Sequence, residues 1–143
     1  MDALDDPFRA VERELASQRG RYDFAVLDIH AEATSEKLAL ALFFDGRFSA
    51  VFGTHTHVQT ADETILERGT AYLTDAGMCG PAVGVLGRER EPILQRFRTS
   101  MPAKFPVANW PVRLCGAVVQ IDEATGRALS IARINKIVEK PAS

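Results

Sequence analysis

The chain lacks the features that mark secreted, membrane-spanning and disulfide-stabilised proteins. It has only two cysteines, Cys79 and Cys115, which lie 36 positions apart in no metal-binding spacing. They predict buried thiols in a reducing compartment. The first 20 residues hold no apolar signal segment, and no apolar run approaches the roughly 20 residues that cross a bilayer. We therefore expect a cytoplasmic protein with no membrane partner.

An excess of charge of one sign is also missing. The 17 basic and 19 acidic side chains are well mixed and give a formal net charge of −2. This balance offers no basic stripe for nucleic acid, but it is compatible with a small phosphate substrate. Hydrophobic residues make up 46% of the 143 positions, which is enough for one core. We expect a single domain over residues 1–143.

The order of helical and strand patterns predicts an α/β fold. Asp6 and Pro7 open a helix that presents Phe8, Val11 and Leu15 on one face. The remaining predicted elements are a strand over 24–29, a helix over 34–46, strands over 48–52 and 70–74, a helix over 92–99 with Ile93, Leu94 and Phe97 inward, and a hairpin of 114–121 and 128–138.

All three histidines follow predicted strands. His30 comes after the first strand, and His55 and His57 come after the second. Strand–helix–strand order predicts parallel pairing with a right-handed crossover, and ligands gather at the carboxyl ends of parallel strands. Neutral imidazoles bind Zn, Fe or similar metals, and a His-x-His pair serves one metal or two. The alternative is a chance pair of surface histidines.

The neighbours of these histidines suit a supporting role. Asp28 precedes His30 by two positions and shares its strand face, so it either holds the ring, touches a metal or caps the next loop. Thr54 and Thr56 carry hydroxyls that can fix ring tautomers. Gly53 is expected to allow a tight exit from the strand.

Two acidic residues have less specific signals. Asp75 follows a predicted strand and is either a further supporting acid or the cap of a turn. Glu32 stands near the start of a predicted helix, where acidic side chains favour the helix dipole. Its part in the site is left open.

Several segments together resemble a known family. These are His30-Ala-Glu-Ala-Thr-Ser-Glu-Lys37, Gly53-Thr-His-Thr-His-Val-Gln-Thr-Ala-Asp62 and Leu73-Thr-Asp-Ala-Gly-Met-Cys-Gly-Pro81. The first two are similar to signature segments of the YmdB-like calcineurin-type metallophosphoesterases, and the third resembles the loop that follows them in that family. The resemblance covers nearly the whole chain. It implies a partial calcineurin-like sandwich, built from βαβ units and a C-terminal β-hairpin.

The resemblance also implies a chemistry. Members of this family hydrolyse phosphodiesters, including 2′,3′-cyclic nucleotides, with two divalent metal ions. Iron and manganese are the expected metals, with zinc as an alternative. By position, His30 and His55 would ligate one ion and His57 the other. The metals would lower the pKa of the water that attacks phosphorus.

The chain departs from the family pattern in its remaining ligands. The family takes an aspartate in a Gly-Asp turn, a bridging glutamate and an asparagine from an N-terminal half. That asparagine precedes the histidine that protonates the leaving group. This chain has no Gly-Asp and no Asn-His, since Asn109 and Asn135 adjoin no histidine. The resemblance therefore implies the C-terminal portion of a longer domain, and the catalytic proton donor is unknown.

Three functions follow from this reading. The first is a metal-dependent phosphodiesterase that is incomplete as this chain. The second is a non-catalytic, degenerate metal-binding or protein-association module. Its open sheet edge would pair with another copy or with the missing N-terminal half. The third is a mononuclear metal hydrolase that is complete in itself. Metal stoichiometry and turnover distinguish the three.

Overall fold

The computed structural model describes residues 5–141, which form a mixed α/β fold with three helices and two sheets. The helices are α1 Pro7–Ser17, α2 Thr34–Phe43 and α3 Arg90–Thr99. The strands are β1 Val26–His30, β2 Ala50–Thr54, β3 Thr64–Ile65, β4 Ala71–Leu73, β5 Gly80–Pro81, β6 Val112–Ile121 and β7 Ala128–Val138. The predicted α/β class is confirmed.

The first sheet is mostly parallel and has the strand order β1-β2-β4-β3. Strands β1 and β2 pair in parallel with His30 opposite Thr54, and α2 connects them along the chain. This is the predicted βαβ unit. Strand β3 adds an antiparallel edge through β4. The other edge of the sheet is β1, which pairs within residues 5–141 only with β2.

The second sheet is antiparallel and contains the C-terminal hairpin. Strand β6 pairs with β7 along nearly its full length, and β5 adds to the other side of β6. The turn between β6 and β7 is closed by Gly126, whose N–H donates to the carbonyl of Asp122 at 2.8 Å. The predicted hairpin is confirmed, and β6 begins at Val112, two residues before the predicted start.

The main core lies between the first sheet and the helices α1 and α2. Helix α1 begins where predicted, because the Asp6 carboxylate accepts the N–H of Phe8 at 2.9 Å and Pro7 occupies the first turn. The core residues are Leu40, Ala41, Phe44, Phe48, Val51 and Tyr72, and the α1 residues packed against them are Phe8, Val11 and Leu15. The predicted apolar face of α1 is therefore confirmed.

Alanines form the junction between the two sheets. Ala50 of β2, Ala71 of β4 and Ala128 of β7 share one small buried cluster. The N–H of Ala128 also donates to the carbonyl of Gly69 at 2.8 Å. Small side chains allow the hairpin to approach the parallel sheet closely, which fixes the two sheets against each other.

Two expectations about burial are wrong. In α3, Ile93 is buried, but Leu94 is 42% and Phe97 80% exposed, because only one side of this short helix contacts the rest of the fold. The thiols are not buried either. Cys79 is exposed and donates to the carbonyl of Cys115 at 3.1 Å, and Cys115 is half-buried. Within residues 5–141, no helix has the length and apolar character needed to cross a bilayer.

Candidate metal centre

The parallel pairing of β1 and β2 brings two of the three histidines together. His30 is the last residue of β1, and His55 is the first residue after β2. Their rings lie 5.1 Å apart at 74°, with 3.2 Å between Nε2 of His30 and Nδ1 of His55. The two chain segments therefore meet at one edge of the sheet, as the strand order predicts.

The distance between these two nitrogens fits a shared metal ion. Metal–nitrogen bonds of about 2.0–2.1 Å at angles of roughly 90–110° separate two ligating nitrogens by roughly 2.9–3.4 Å. The 3.2 Å separation of His30 Nε2 and His55 Nδ1 lies within that range. It is also the length of an N–H···N hydrogen bond, which the pair forms when no ion lies between the rings.

The other ring nitrogen of His30, Nδ1, faces two polar side chains, Thr54 and Asp28. Nδ1 of His30 lies 3.1 Å from Oγ1 of Thr54, and that hydroxyl donates to Oδ1 of Asp28 at 3.4 Å. With the Thr54 proton directed to the carboxylate, Nδ1 is the ring donor, and the lone pair of Nε2 points toward His55. Asp28 thus reaches the His30 ring through Thr54 and not directly.

The other predicted residues stand apart from this pair. His57 is exposed with φ 63°, and among residues 5–141 no hydrogen bond or ring contact joins it to His30 or His55. Glu32 is exposed and makes no hydrogen bond or ion pair within the same range. No group of three or more His, Cys, Asp or Glu side chains gathers there in a metal-binding arrangement. The ligand role of His57 and a supporting role for Glu32 therefore stay predictions.

Asp75 anchors the loop that carries His55 and His57. Its side chain is fully buried, and Oδ2 accepts both the N–H and the hydroxyl of Thr56 at 2.8 Å each. Burial raises the pKa of Asp75, but hydrogen bonds from Thr56 and Gly77 lower it more, with help from a nearby ammonium group. The carboxylate is therefore charged at neutral pH and holds the loop through Thr56.

That ammonium belongs to Lys37, a residue that the sequence reasoning missed. Lys37 is 0% exposed, and its Nζ lies 3.5 Å from Oδ2 of Asp75 and donates to the carbonyl of Thr54 at 3.3 Å. A signal was present, because Lys37 lies on the apolar stripe of α2. The buried residues Leu40, Ala41 and Phe44 follow Lys37 by three, four and seven positions, which places all four on one face of the helix. A lysine on such a stripe needs a buried partner.

Gly53 is required for a different reason from the one expected. It lies inside β2, and a Cβ there would come within 1.8 Å of the carbonyl oxygen of Thr74 and 2.6 Å of Cδ of Lys37. The glycine therefore permits the close approach of the chain that leaves β4. It does not form a tight exit turn.

Gln59 connects the histidine loop to the hairpin. Its side-chain amide donates toward the carbonyl of Ala76 at 3.3 Å, of Gly116 at 2.9 Å and of Ile134 at 3.1 Å. The last two carbonyls belong to β6 and β7. Gln59, within the segment 53–62, thus fixes the loop to the second sheet. No local sequence pattern could predict this contact.

An apolar cleft lies beside the free edge of β1. Its volume is about 550 Å³, and its lining includes Val11, Leu15, Tyr22, Phe24 and Leu27. Tyr22 and Phe24 are each more than 40% exposed. The outer edge of β1 is therefore open within residues 5–141 and is bordered by apolar surface at its first residues, Val26 and Leu27.

Comparison with known proteins gives matches over nearly the whole chain. Residues 1–134 match the family described as YmdB-like protein. The chain is 53% identical over 131 residues to the 2′,3′-cyclic-nucleotide 2′-phosphodiesterase of Bacillus subtilis (strain 168), a match that covers 92% of this chain and 50% of the relative. The chain spans about half the length of the curated relatives it matches.

Two crystal structures have similar folds. A hypothetical protein from Thermus thermophilus superposes with a TM-score of 0.84 at 45% identity, covering 99% of this chain and 54% of that one. A novel phosphatase from Mycoplasma pneumoniae superposes with a TM-score of 0.85 at 34% identity, covering 95% of this chain and 48% of that one. The fold of residues 5–141 therefore recurs as part of longer chains.

Proposed function

This chain belongs to the YmdB-like protein family, and on that premise we propose that it supplies the histidine part of a metal site that hydrolyses phosphodiesters. The observation that carries the proposal is the 3.2 Å between Nε2 of His30 and Nδ1 of His55. The B. subtilis relative bears the name of a 2′,3′-cyclic-nucleotide 2′-phosphodiesterase. We assign the same substrate class to the completed site.

Each of these residues has a role in the proposed site. His30 and His55 hold one divalent ion, and His57 belongs to a second position. Thr54, with Asp28 behind it, orients the His30 ring by accepting the proton of Nδ1. A bound divalent ion polarises the phosphoryl oxygens and lowers the pKa of a water molecule. Iron and manganese are the proposed metals, with zinc as the alternative.

The site needs further groups from other polypeptide. Neutral imidazoles do not offset the charge of divalent cations, so carboxylate ligands and a proton donor must join them. We assign these to the part of the longer relatives that this chain does not cover. The free edge of β1 is the proposed docking surface, since it borders the apolar cleft where the strand begins and carries His30 where the strand ends. A second copy of the chain is the other candidate for that edge.

One observation favours a second function. Within residues 5–141 no three metal-binding side chains gather, and an open edge beside an apolar cleft suits association with another chain. A non-catalytic module that binds one metal ion or none would have these properties. It shares the fold of the enzyme but not its turnover.

Equilibrium dialysis of Mn²⁺ against the purified chain separates these functions. We expect at most one tightly bound ion, with affinity lowered at least ~10²-fold in His30→Ala and His55→Ala. His57→Ala is the matched variant and should keep the ion. Hydrolysis of 2′,3′-cyclic AMP should be at least ~10²-fold faster when the uncovered half of the B. subtilis relative is added.

Each outcome of these measurements supports a different function. Metal binding with restored hydrolysis supports the enzyme part. Metal binding without hydrolysis in any mixture assigns the chain to the second function. Two tightly bound ions and full activity of the chain alone would contradict the dependence on other polypeptide.

A further inference from the structure

Lys37 and Asp75 form an ion pair that is almost completely buried. Both side chains are 1% exposed, with 3.5 Å between Nζ and Oδ2. Moving two charges out of water costs several kcal/mol per ion, and apolar replacements of such pairs are often equally stable. The free energy of folding alone therefore does not explain a lysine on the apolar stripe of α2.

The contacts of this pair lie on the two sides of His55. Lys37 donates to the carbonyl of Thr54, whose peptide group ends at the nitrogen of His55. Asp75 accepts the N–H of Thr56, whose peptide group begins at the carbonyl of His55. One ion pair thus holds both peptide groups that flank His55.

The backbone between these two contacts is in an uncommon conformation. His55 has φ 149°, and a non-glycine residue keeps such a conformation only when its surroundings fix it. Holding both peptide groups sets the direction in which the Cβ of His55 leaves the chain. It therefore also sets the approach of Nδ1 to Nε2 of His30 at 3.2 Å.

We infer that Lys37 is a positioning residue for His55, a role that rests on the metal function proposed above. Through the carbonyl of Thr54 and the carboxylate of Asp75, it holds the imidazole in its ligating position before metal arrives. Because the loop is already ordered when the protein folds, metal binding does not have to supply the free energy of ordering it. Loss of such outer contacts typically lowers metal affinity about 10–100-fold.

The test compares Lys37→Met in two backgrounds by Mn²⁺ dialysis. In the wild-type background, affinity should fall roughly 10–100-fold. In the His55→Ala background, the same change should have less than about a twofold effect, because its route to the metal is already gone. Arg133→Met is the matched control. It removes an ion pair with Glu63 and a contact with the carbonyl of Thr60, neither of which involves Lys37, His30 or His55, and it should leave the affinity unchanged.

A readout without metal keeps the inference separate from the proposed function. Imidazole ¹⁵N NMR should show hydrogen-bonded His30 and His55 rings in the wild type and loss of that bond in Lys37→Met. If the wild type binds no Mn²⁺, the proposed function fails, and this spectrum alone decides the positioning role. If Lys37→Met does not fold, Thr56→Val removes one Asp75 contact and should weaken both the ring bond and the affinity.

Three results would overturn the inference. They are an unchanged affinity in folded Lys37→Met, an equal loss in both backgrounds, and an unaltered ring spectrum. Equal losses would mean that the pair supports the fold in general. An unaltered spectrum would mean that the loop sets His55 without Lys37.

Discussion

Asp75 shows how one side chain can order a whole loop. Its two oxygens accept hydrogen bonds from Thr56, in the loop after β2, and from Gly77, in the chain after β4, and Lys37 supplies the opposite charge. Removing one partner of such a pair leaves a buried charge uncompensated, which typically costs about 3–5 kcal/mol. At the scale of residues, the order of the histidine loop therefore depends on a group that touches no histidine.

The lowered pKa of Asp75 predicts how the stability of the protein changes in acid. Burial raises the pKa of Asp75, but its hydrogen bonds lower it more, so the folded value lies below the unfolded one of about 3.9. As the pH falls, the unfolded chain binds this proton first, so acid favours unfolding. The stability from Asp75 is complete above about pH 4 and is lost as the pH falls through the folded pKa.

Carboxyl ¹³C NMR and urea unfolding between about pH 6 and 2 measure both quantities. The Asp75 carboxyl should titrate below about 3.9, and the free energy of unfolding should fall through that midpoint. Asp62 adds to the effect with the same sign, because hydrogen bonds from Thr60 and Thr74 lower its pKa against the effect of burial. An Asp75 midpoint above about 4.5 would contradict the described contacts.

At the scale of elements, the spacing of β2 and β4 decides where the site can form. These strands pair in parallel over Ala50, Val51 and Phe52. Just beyond, the N–H of Ala76 donates to the carbonyl of Gly53 at 2.8 Å. The carbonyl of Thr74 fills the space where a side chain at position 53 would lie. A larger residue there must separate the two segments that carry His55 and Asp75.

Gly53→Ala tests this spacing. The added methyl meets backbone at 1.8 Å, so we expect the free energy of unfolding to fall by about 2–3 kcal/mol, measured by urea denaturation. Gly116→Ala is the matched control, because Gly116 also lies in a strand and a Cβ there meets nothing within 4 Å. It should change stability by less than about 0.5 kcal/mol. Equal effects at both positions would contradict the close approach.

At the scale of the whole molecule, one side of the first sheet is open. Strand β1 carries Asp28 and His30, has no partner on its outer side within residues 5–141, and borders the apolar cleft. Similar folds belong to chains about twice as long. The docking proposed above would therefore place further polypeptide along this open edge, which runs from the apolar cleft to the histidine pair.

Val26→Lys tests this surface. Val26 is 57% exposed at the start of β1, and a lysine there opposes strand addition and removes apolar contact. With the uncovered half of the B. subtilis relative, half-maximal hydrolysis should need at least about tenfold more of that half. Val118→Lys, at an equally exposed valine of the hairpin, should leave the titration unchanged. Equal shifts in the two variants would exclude the β1 edge as the docking surface.

The parallel pairing of β1 with β2 and the C-terminal hairpin were accessible from the sequence because they depend on local patterns, whereas β3 and β5 were not predicted. Short apolar runs predicted β1, β2 and the hairpin, and the strand–helix–strand order predicted the parallel pairing that brings His30 to His55. Boundaries were less accessible. For example, His30 is inside β1 and not after it, since strand ends depend on the neighbouring strand that continues the hydrogen bonds.

The sequence by itself determined which side chains have the chemistry of metal ligands and that the segments of His30 and His55 meet, because residue chemistry and strand order are properties of the chain. Only the tertiary structure decided what holds them. The burial of Lys37, the position of Thr54 between Asp28 and His30, and the exposure of Phe97 and Cys79 all depend on which surfaces come into contact. Such contacts join residues far apart in the chain, and no local periodicity encodes them.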